Sequence, residues 1–176
     1  MNIPSTSMTA IGFRPHSALS EIDCLTDIEL PRPQPGPNDV LVAVQAVSVN
    51  PVDTKIRAGL VNVPDSVNIL GWDAAGIVEE VGGAVTLFKP GQRVYYAGTF
   101  NRSGSNAQFH LVDERIVGHM PETLSFAQAA ALPLTSLTAW QLLFERLGIV
   151  QGKASDAGSL LILGGAALLH PLTVHS

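Results

Sequence analysis

The chain has 176 residues and a net charge of −5, with 46% hydrophobic and 14% charged residues, which fits one domain and part of another. No Lys/Arg cluster, no apolar run of ~18 residues and no signal-peptide pattern occur, so we expect a cytoplasmic protein that binds neither nucleic acid nor membrane. Cys24 is the only cysteine, which excludes an intramolecular disulfide and a cysteine-based zinc cluster.

The first 121 residues predict a domain built mostly of short strands. Short strands are expected within 9–30, the apolar run 40–50 predicts a strand covered on both faces, and a short helix is expected to end at Gly59. Further strands are predicted at 73–82, at 92–98 and twice within 106–121, and "FKPGQ" between two of them predicts a tight turn. Many short strands separated by Gly and Pro indicate a barrel or sandwich.

The pattern becomes helical after Ser125. Ser125 and Gln128 have the spacing of a capping box, and a second helix is predicted from Pro133 to Leu147, with Gly148 just past its end. One face of that helix carries the apolar residues Leu137, Trp140, Leu143, Phe144 and Leu147. The low content of charged residues indicates that part of the surface of this chain is covered by another segment. A buried strand is then predicted at 159–165.

This order of elements, with the stretches "SVNPVDTKIRAG", "LGWDAAGIVEEVG", "FKPGQRVYYAG" and "AAALPLTSLTAWQLLFERLGI", resembles the medium-chain dehydrogenase/reductase superfamily. Within it, the chain is most similar to the quinone oxidoreductases and the zinc-type alcohol dehydrogenase-like proteins. The resemblance implies a mostly β fold with helices: a GroES-like β-barrel catalytic domain over 1–150, then the start of a Rossmann nucleotide-binding domain over 151–176. It also implies NADPH-dependent reduction of a quinone or enone and leaves a homodimer open.

The positions that carry zinc ligands in metal-dependent relatives do not supply a zinc site here. "NPVDT" offers Asp53 and "GWDAAG" offers Trp72 and Asp73, but the indole N–H can only donate, and two carboxylates without His or Cys bind zinc poorly. We interpret His110 and His119 as ordinary surface or hydrogen-bonded histidines. The sequence therefore predicts no catalytic zinc and favours hydride transfer to a quinone or enone.

The resemblance implies roles for particular residues, and each has a structural alternative. Asn50 corresponds to the Asn of the family's "NP-D" motif near nicotinamide and substrate, and Asp53 is either a site residue or a cap of the short helix. Trp72 either lines the pocket or belongs to the core, and Tyr95 either donates to the substrate oxygen or packs. Thr135 either faces the cofactor or bonds back to its own helix.

The last residues raise the question of the cofactor site. Gly164 and Gly165 correspond to the first glycines of a dinucleotide-binding turn, but no third glycine follows, and Pro171 would disturb the next helix. We therefore expect a truncated or frame-shifted member that, as this chain, binds no NADPH with useful affinity and is inactive. Two other functions stay open: a zinc-dependent alcohol dehydrogenase and a non-enzymatic GroES-like structural or co-chaperone module.

Overall fold

A computed structural model describes residues 6–13, 25–59, 69–150 and 161. Cys24, Gly164, Gly165 and the predicted strand 159–165, apart from Leu161, lie outside these residues. The domain boundary expected at residue 150 therefore stays a prediction.

The described chain consists mostly of strands, as the sequence predicts, with one short helix between them and further short helices after them. The strands are β1 (Ser7–Phe13), β2 (Leu25–Pro31), β3 (Asp39–Ser48), β4 (Asp73–Val81), β5 (Arg93–Ala97), β6 (Phe109–Asp113) and β7 (Val117–His119). The helices are α1 (Pro51–Arg57), α2 (Phe126–Ala130) and α3 (Pro133–Trp140), with a 3₁₀ turn at Glu114–Ile116 and a π-helical segment at Gln141–Arg146. No helix among these elements is long and apolar enough to cross a membrane.

Two antiparallel sheets are joined through a connecting segment. The larger sheet has the order β6-β3-β4-β5-β7, and β1 pairs with β2 in the smaller one. Segment 106–108 lies between them: the backbone N–H of Gln108 donates to Thr9 (2.9 Å), and the N–H of Val44 donates to Gln108 (3.0 Å). This segment therefore satisfies backbone groups of both sheets and connects them.

The core contains three clusters of buried side chains. The largest lies along the long strands β3 and β4 and the strands beside them, where valines dominate because β-branched side chains pack well on a pleated surface: Val40, Val42, Val78, Val94 and Val112. The second joins α2 to the sheet through small residues, and the third surrounds Trp72 with Phe13, Ile56 and Leu70. The third cluster lies beside α1 and supports the candidate site.

The predicted turn at "FKPGQ" is confirmed. Gly91 has φ +88°, which glycine adopts at little cost, and the side chain of Gln92 accepts from the backbone N–H of Lys89 (2.8 Å). The turn therefore connects β4 to β5 as the sequence indicates.

The capping box at Ser125 and Gln128 is also confirmed, but the second predicted helix differs in its last two turns. The Gln128 side chain accepts from the backbone N–H of Ser125 (2.9 Å), and the Ser125 hydroxyl accepts from the N–H of Gln128 (3.3 Å). Residues 141–146 form a π-helix, whose longer repeat turns later side chains away from a face with a period of 3.6 residues.

The predicted apolar face of this helix is largely exposed in the described chain. Trp140 and Phe144 still meet edge to face with ring centroids 4.6 Å apart. Leu137, Trp140 and Leu147 are each more than half exposed, however, so this face is not part of the three core clusters.

Candidate functional site

The candidate site is built at the start of α1, where the sequence "NPVD" determines the local geometry. Asn50 has an extended backbone at the N-cap position, and Pro51 follows in the first turn, where its missing N–H costs nothing. The carboxylate of Asp53 accepts a hydrogen bond from the backbone N–H of Asn50 (2.8 Å). This bond closes the first turn of α1 and fixes the backbone of Asn50.

Asp53 also joins α1 to the segment that leads into β4. Its second carboxylate oxygen accepts from the backbone N–H of Gly71 (3.0 Å), and the residue is only 4% exposed. Burial raises the pKa of Asp53, and the hydrogen bonds from Asn50 and Gly71 oppose that rise. This is the geometry of a capping residue, the alternative the sequence offered for Asp53, and a catalytic role for it stays a prediction.

Asp73, the first residue of β4, is the residue through which the site is connected. One carboxylate oxygen accepts from the side-chain amide of Asn50 (2.8 Å), and the other accepts from the backbone N–H of Leu134 in α3 (2.8 Å). The residue has no exposed surface, and burial raises its pKa to about 6 despite those two bonds. Asp73 therefore links α1, β4 and α3 at one point.

Sequence reasoning considered Asp73 only as a weak zinc ligand and missed this role. The available signal was an acidic residue at the start of the apolar strand "DAAGIV", since a buried carboxylate needs hydrogen-bond donors. The identity of those donors depends on tertiary structure, because Leu134 is 61 residues away in the chain.

Trp72 precedes Asp73 and packs in the third core cluster. Its indole N–H donates to the carbonyl of Thr99 (3.1 Å), its ring lies 5.5 Å from that of Phe100, and it is 1% exposed. A buried indole whose single donor is satisfied acts as core. The described contacts therefore match the core alternative for Trp72, while a pocket-lining role stays a prediction.

Tyr95 does not join Asn50 and Trp72. Strand alternation places Tyr95 and Tyr96 on opposite faces of β5, and Tyr95 packs against the second cluster, which includes Ala75 and Met120. The structure thus places Tyr95 in a different group of side chains from Asn50 and Trp72. Its role as a donor to substrate stays a prediction.

His110 is a hydrogen-bonded histidine in the interior. Its Nε2 lies 2.8 Å from the Ser103 carbonyl, which can only accept, so Nε2 carries the hydrogen and Nδ1 accepts from the Tyr96 hydroxyl (3.0 Å). Burial lowers the pKa of His110 to about 4 and raises that of Tyr96. His119, by contrast, lies at the exposed end of β7 against Phe88. Both ring nitrogens of His110 have protein partners.

Thr135 lies next to Leu134 in the first turn of α3. Its hydroxyl is within 3.1 Å of the Ala131 carbonyl and 3.0 Å of the Leu132 carbonyl. This contact matches the alternative in which the hydroxyl bonds back to its own chain. A cofactor contact of Thr135 would use the lone pairs that remain on the hydroxyl oxygen, and it stays a prediction, as do the roles of Gly164 and Gly165.

The donor set at the positions of the family's zinc ligands does not fit a zinc ion. All four carboxylate oxygens of Asp53 and Asp73 accept from N–H groups of the protein. Within the described ranges, no group of three or more His, Cys, Asp or Glu residues is placed to hold a metal ion. A catalytic zinc needs three protein ligands, and the two carboxylates of these segments do not supply them.

The fold and the site define a class: a domain of antiparallel strands in which one buried carboxylate connects a short helix, a strand and a second helix. Residues 36–140 match the alcohol dehydrogenase GroES-like domain. The chain therefore belongs to this family, within the medium-chain dehydrogenase/reductase superfamily, as the sequence motifs indicated.

Individual relatives place the chain more closely within the superfamily. It is 43% identical over 161 residues to a zinc-type alcohol dehydrogenase-like protein of Staphylococcus epidermidis, covering 90% of this chain and 47% of that protein. It is 34% identical over 184 residues to the 2-methylene-furan-3-one reductase of Solanum lycopersicum, covering 99% of this chain and 45% of the reductase. The chain thus spans about half the length of the curated relatives it matches.

Solved structures give the same grouping. A Rhizobium etli protein described as a candidate zinc-dependent alcohol dehydrogenase has a TM-score of 0.82 and 52% identity, covering 91% of this chain and 46% of that one. The Escherichia coli quinone oxidoreductase complexed with NADPH has a TM-score of 0.68 and 33% identity, covering 78% and 41%. The fold expected from the motifs is confirmed by these likenesses.

Proposed function

We propose that this chain provides the substrate-side domain of an oxidoreductase that transfers a hydride from NADPH to a quinone or conjugated enone without catalytic zinc. The observation that carries the proposal is the hydrogen bonding of Asp53 and Asp73, the two carboxylates in the segments that correspond to the zinc-ligand segments of metal-dependent relatives, because each of their four oxygens already accepts from an N–H donor. Trp72, at the remaining position, is a buried hydrogen-bond donor.

The described residues place no zinc-ligand set at this site, and this supports conjugate reduction as the proposed reaction. In a zinc-dependent dehydrogenase the metal stabilises an alkoxide as a Lewis acid. When a hydride adds to the β-carbon of an enone, the electron pair of the double bond moves through conjugation to the carbonyl oxygen. That oxygen or the α-carbon then takes a proton from solvent, so no metal is required. The cofactor supplies the hydride, and the protein supplies position and exclusion of water.

Asn50 is the residue we place against nicotinamide and substrate. It is 8% exposed, its backbone is fixed by Asp53, and its side-chain amide is fixed by Asp73. A small polar group held in this way orients a reactant with little entropy cost, because its own conformation is already fixed. Thr135, in the first turn of α3, is proposed to contact the cofactor beside it.

The names of two relatives support the substrate class. The Solanum lycopersicum protein is named for reduction of a methylene-furanone, in which a carbon–carbon double bond is conjugated with a ketone, and the Escherichia coli protein is a quinone oxidoreductase complexed with NADPH. Both favour reductive chemistry on a conjugated carbonyl over a co-chaperone role. The homodimer left open by the resemblance is also kept as a proposal.

The zinc-free part is tested by metal content and by ligand binding. We expect the purified chain, loaded with zinc and then dialysed, to retain only substoichiometric metal, and 2-cyclohexenone to shift the side-chain amide resonance of Asn50 in an NMR titration. Asn50→Ala, compared with the exposed control Asn101→Ala, identifies that resonance. One tightly bound zinc per chain would overturn the zinc-free proposal, and an unperturbed Asn50 resonance would overturn the placement of substrate.

Turnover tests the reaction itself, in this domain joined to the nucleotide-binding part of a relative, because the chain alone is expected to be inactive. NADPH oxidation with an enone or quinone that persists in the presence of a chelator would support the proposal. Alcohol oxidation that appears only after zinc is added would replace it with the zinc-dependent dehydrogenase alternative.

A further inference from the structure

Helix α3 begins without a cap from its own neighbourhood. Leu132 at the N-cap position makes no side-chain cap, and Pro133 has no N–H, so Leu134 supplies the first N–H donor of the helix. That donor is taken by the carboxylate of Asp73, 61 residues earlier in the chain. A carboxylate at a helix N-terminus also interacts favourably with the helix dipole. Asp73 is therefore a cap supplied by another element of the fold.

The same carboxylate holds the side chain of Asn50. Its second oxygen accepts from the amide nitrogen of Asn50 (2.8 Å), and Asp73 itself is fully buried. A carboxylate is rigid and planar, so its two oxygens hold the Asn50 amide and the start of α3 at a fixed separation. A displacement of the start of α1 or of α3 is therefore transmitted to the other through Asp73.

We propose that Asp73 is the positioning residue of this site: it sets the orientation of the Asn50 amide and couples that orientation to the first turn of α3. Because the carboxylate accepts, the Asn50 amide must direct its nitrogen toward Asp73 and its oxygen away from it. The benefit of this arrangement for hydride transfer rests on the proposed function. The coupling itself does not, and it can be tested without turnover.

Two substitutions of Asp73 separate its two contacts. Asp73→Asn keeps one acceptor for the Leu134 N–H but places an NH₂ group against the NH₂ of Asn50, so the Asn50 amide must turn over. We expect its side-chain amide resonances to shift while hydrogen exchange at Leu134 stays within about twofold of the parent. Asp73→Ala removes both acceptors, and we expect exchange at Leu134 to accelerate about tenfold, as for the loss of a helix cap.

Asp53→Ala is the matched control for Asp73→Ala, because it makes the same chemical change in the neighbouring buried carboxylate. The two side-chain hydrogen bonds of Asp53 go to the backbone N–H groups of Asn50 and Gly71, neither of which lies in α3. We expect this variant to leave exchange at Leu134 unchanged relative to its neighbours in α3, even where it loosens α1. Equal acceleration at Leu134 in Asp53→Ala and Asp73→Ala would show general loosening and would overturn the coupling.

A measurement on the unaltered chain keeps the proposal testable if Asp73→Ala does not fold. Scalar coupling across a hydrogen bond, from the Leu134 amide nitrogen to the Asp73 carboxylate carbon, is expected to be detectable. Its absence, or an unshifted Asn50 amide in Asp73→Asn, would overturn the proposal. Failure of the enone and zinc experiments would leave these readouts unaffected, so the two proposals fail separately.

Discussion

Two buried titrating groups, His110 and Asp73, are expected to give the domain opposite pH responses that nearly cancel. The folded pKa of His110 is lowered from 6.5 to about 4, so the unfolded chain binds the extra proton between these values, and stability falls as the pH falls through this window. The folded pKa of Asp73 is raised from 3.8 to about 6, so the folded chain binds the extra proton between these values. The stability that Asp73 contributes is therefore lost as the pH rises toward 6.

The two contributions are similar in size. At about 1.4 kcal/mol per pKa unit, the shift of His110 corresponds to about 3 kcal/mol, and that of Asp73 also to about 3 kcal/mol. Integrated from about pH 7 to about pH 4, acidification removes about 3 kcal/mol through His110 and returns about 2 kcal/mol through Asp73. Together these two groups therefore change the free energy of unfolding by less than about 1 kcal/mol across this range.

Substitution of either group should expose the response of the other. His110→Gln keeps an amide donor for the Ser103 carbonyl but cannot titrate. On acidification from about pH 7 to about pH 4, its free energy of unfolding should therefore change by about 3 kcal/mol more in the stabilising direction than that of the parent. Asp73→Asn should show the reverse, a steeper fall. At about pH 4 the two variants should have diverged by about 5 kcal/mol relative to about pH 7.

Urea denaturation followed by circular dichroism at a series of pH values measures these slopes. Each substitution also shifts stability by a constant amount, so the slopes and not the absolute values are compared. His119→Gln, at the exposed end of β7, is the control for the exchange of a histidine for glutamine. Parallel pH profiles for His110→Gln, Asp73→Asn and the parent would refute the reasoning.

Two further predictions concern close packing and a buried acceptor. A methyl group on Gly82 would collide with the backbone carbonyl of Gly36, whereas one on Gly83 would meet open space. Gly82→Ala should therefore lose about 2 kcal/mol of unfolding free energy and Gly83→Ala under about 0.5 kcal/mol. Equal urea midpoints for the two variants would contradict this. The carboxylate of Glu114 accepts from the backbone N–H groups of Thr86 (2.9 Å) and Leu87 (2.8 Å). Glu114→Ala should therefore lower the free energy of unfolding by about 2 kcal/mol and Glu114→Gln by less, as measured by thermal unfolding. An Ala variant as stable as the Gln variant would show that water replaces the carboxylate.

Local chemistry explains why so much of the fold could be predicted. The valine-rich strand β3, the Pro90–Gly91 turn and the Ser125–Gln128 capping box depend on neighbours within a few residues, and the structure contains all three. The "NPVD" sequence likewise determines the start of α1 by itself. These features need no knowledge of the rest of the chain.

The parts that sequence reasoning missed depend on distant contacts. Nothing near Asp73 in the sequence indicates that its partners are Asn50 and Leu134, and nothing near Tyr96 indicates that its hydroxyl donates to His110. The π-helical segment after Trp140 was missed for a different reason, since helix propensity does not distinguish the two helical repeats.

The contrast between the two tryptophans of the chain has a practical consequence. Trp72 is sealed in the core with its indole hydrogen-bonded, whereas Trp140 is 52% exposed on helix α3. A neutral quencher such as acrylamide will reach the fluorescence of Trp140 and leave that of Trp72 largely untouched. The fluorescence of this chain therefore contains two separable signals: Trp72 reports whether the core is intact, and Trp140 reports binding to the exposed surface of α3.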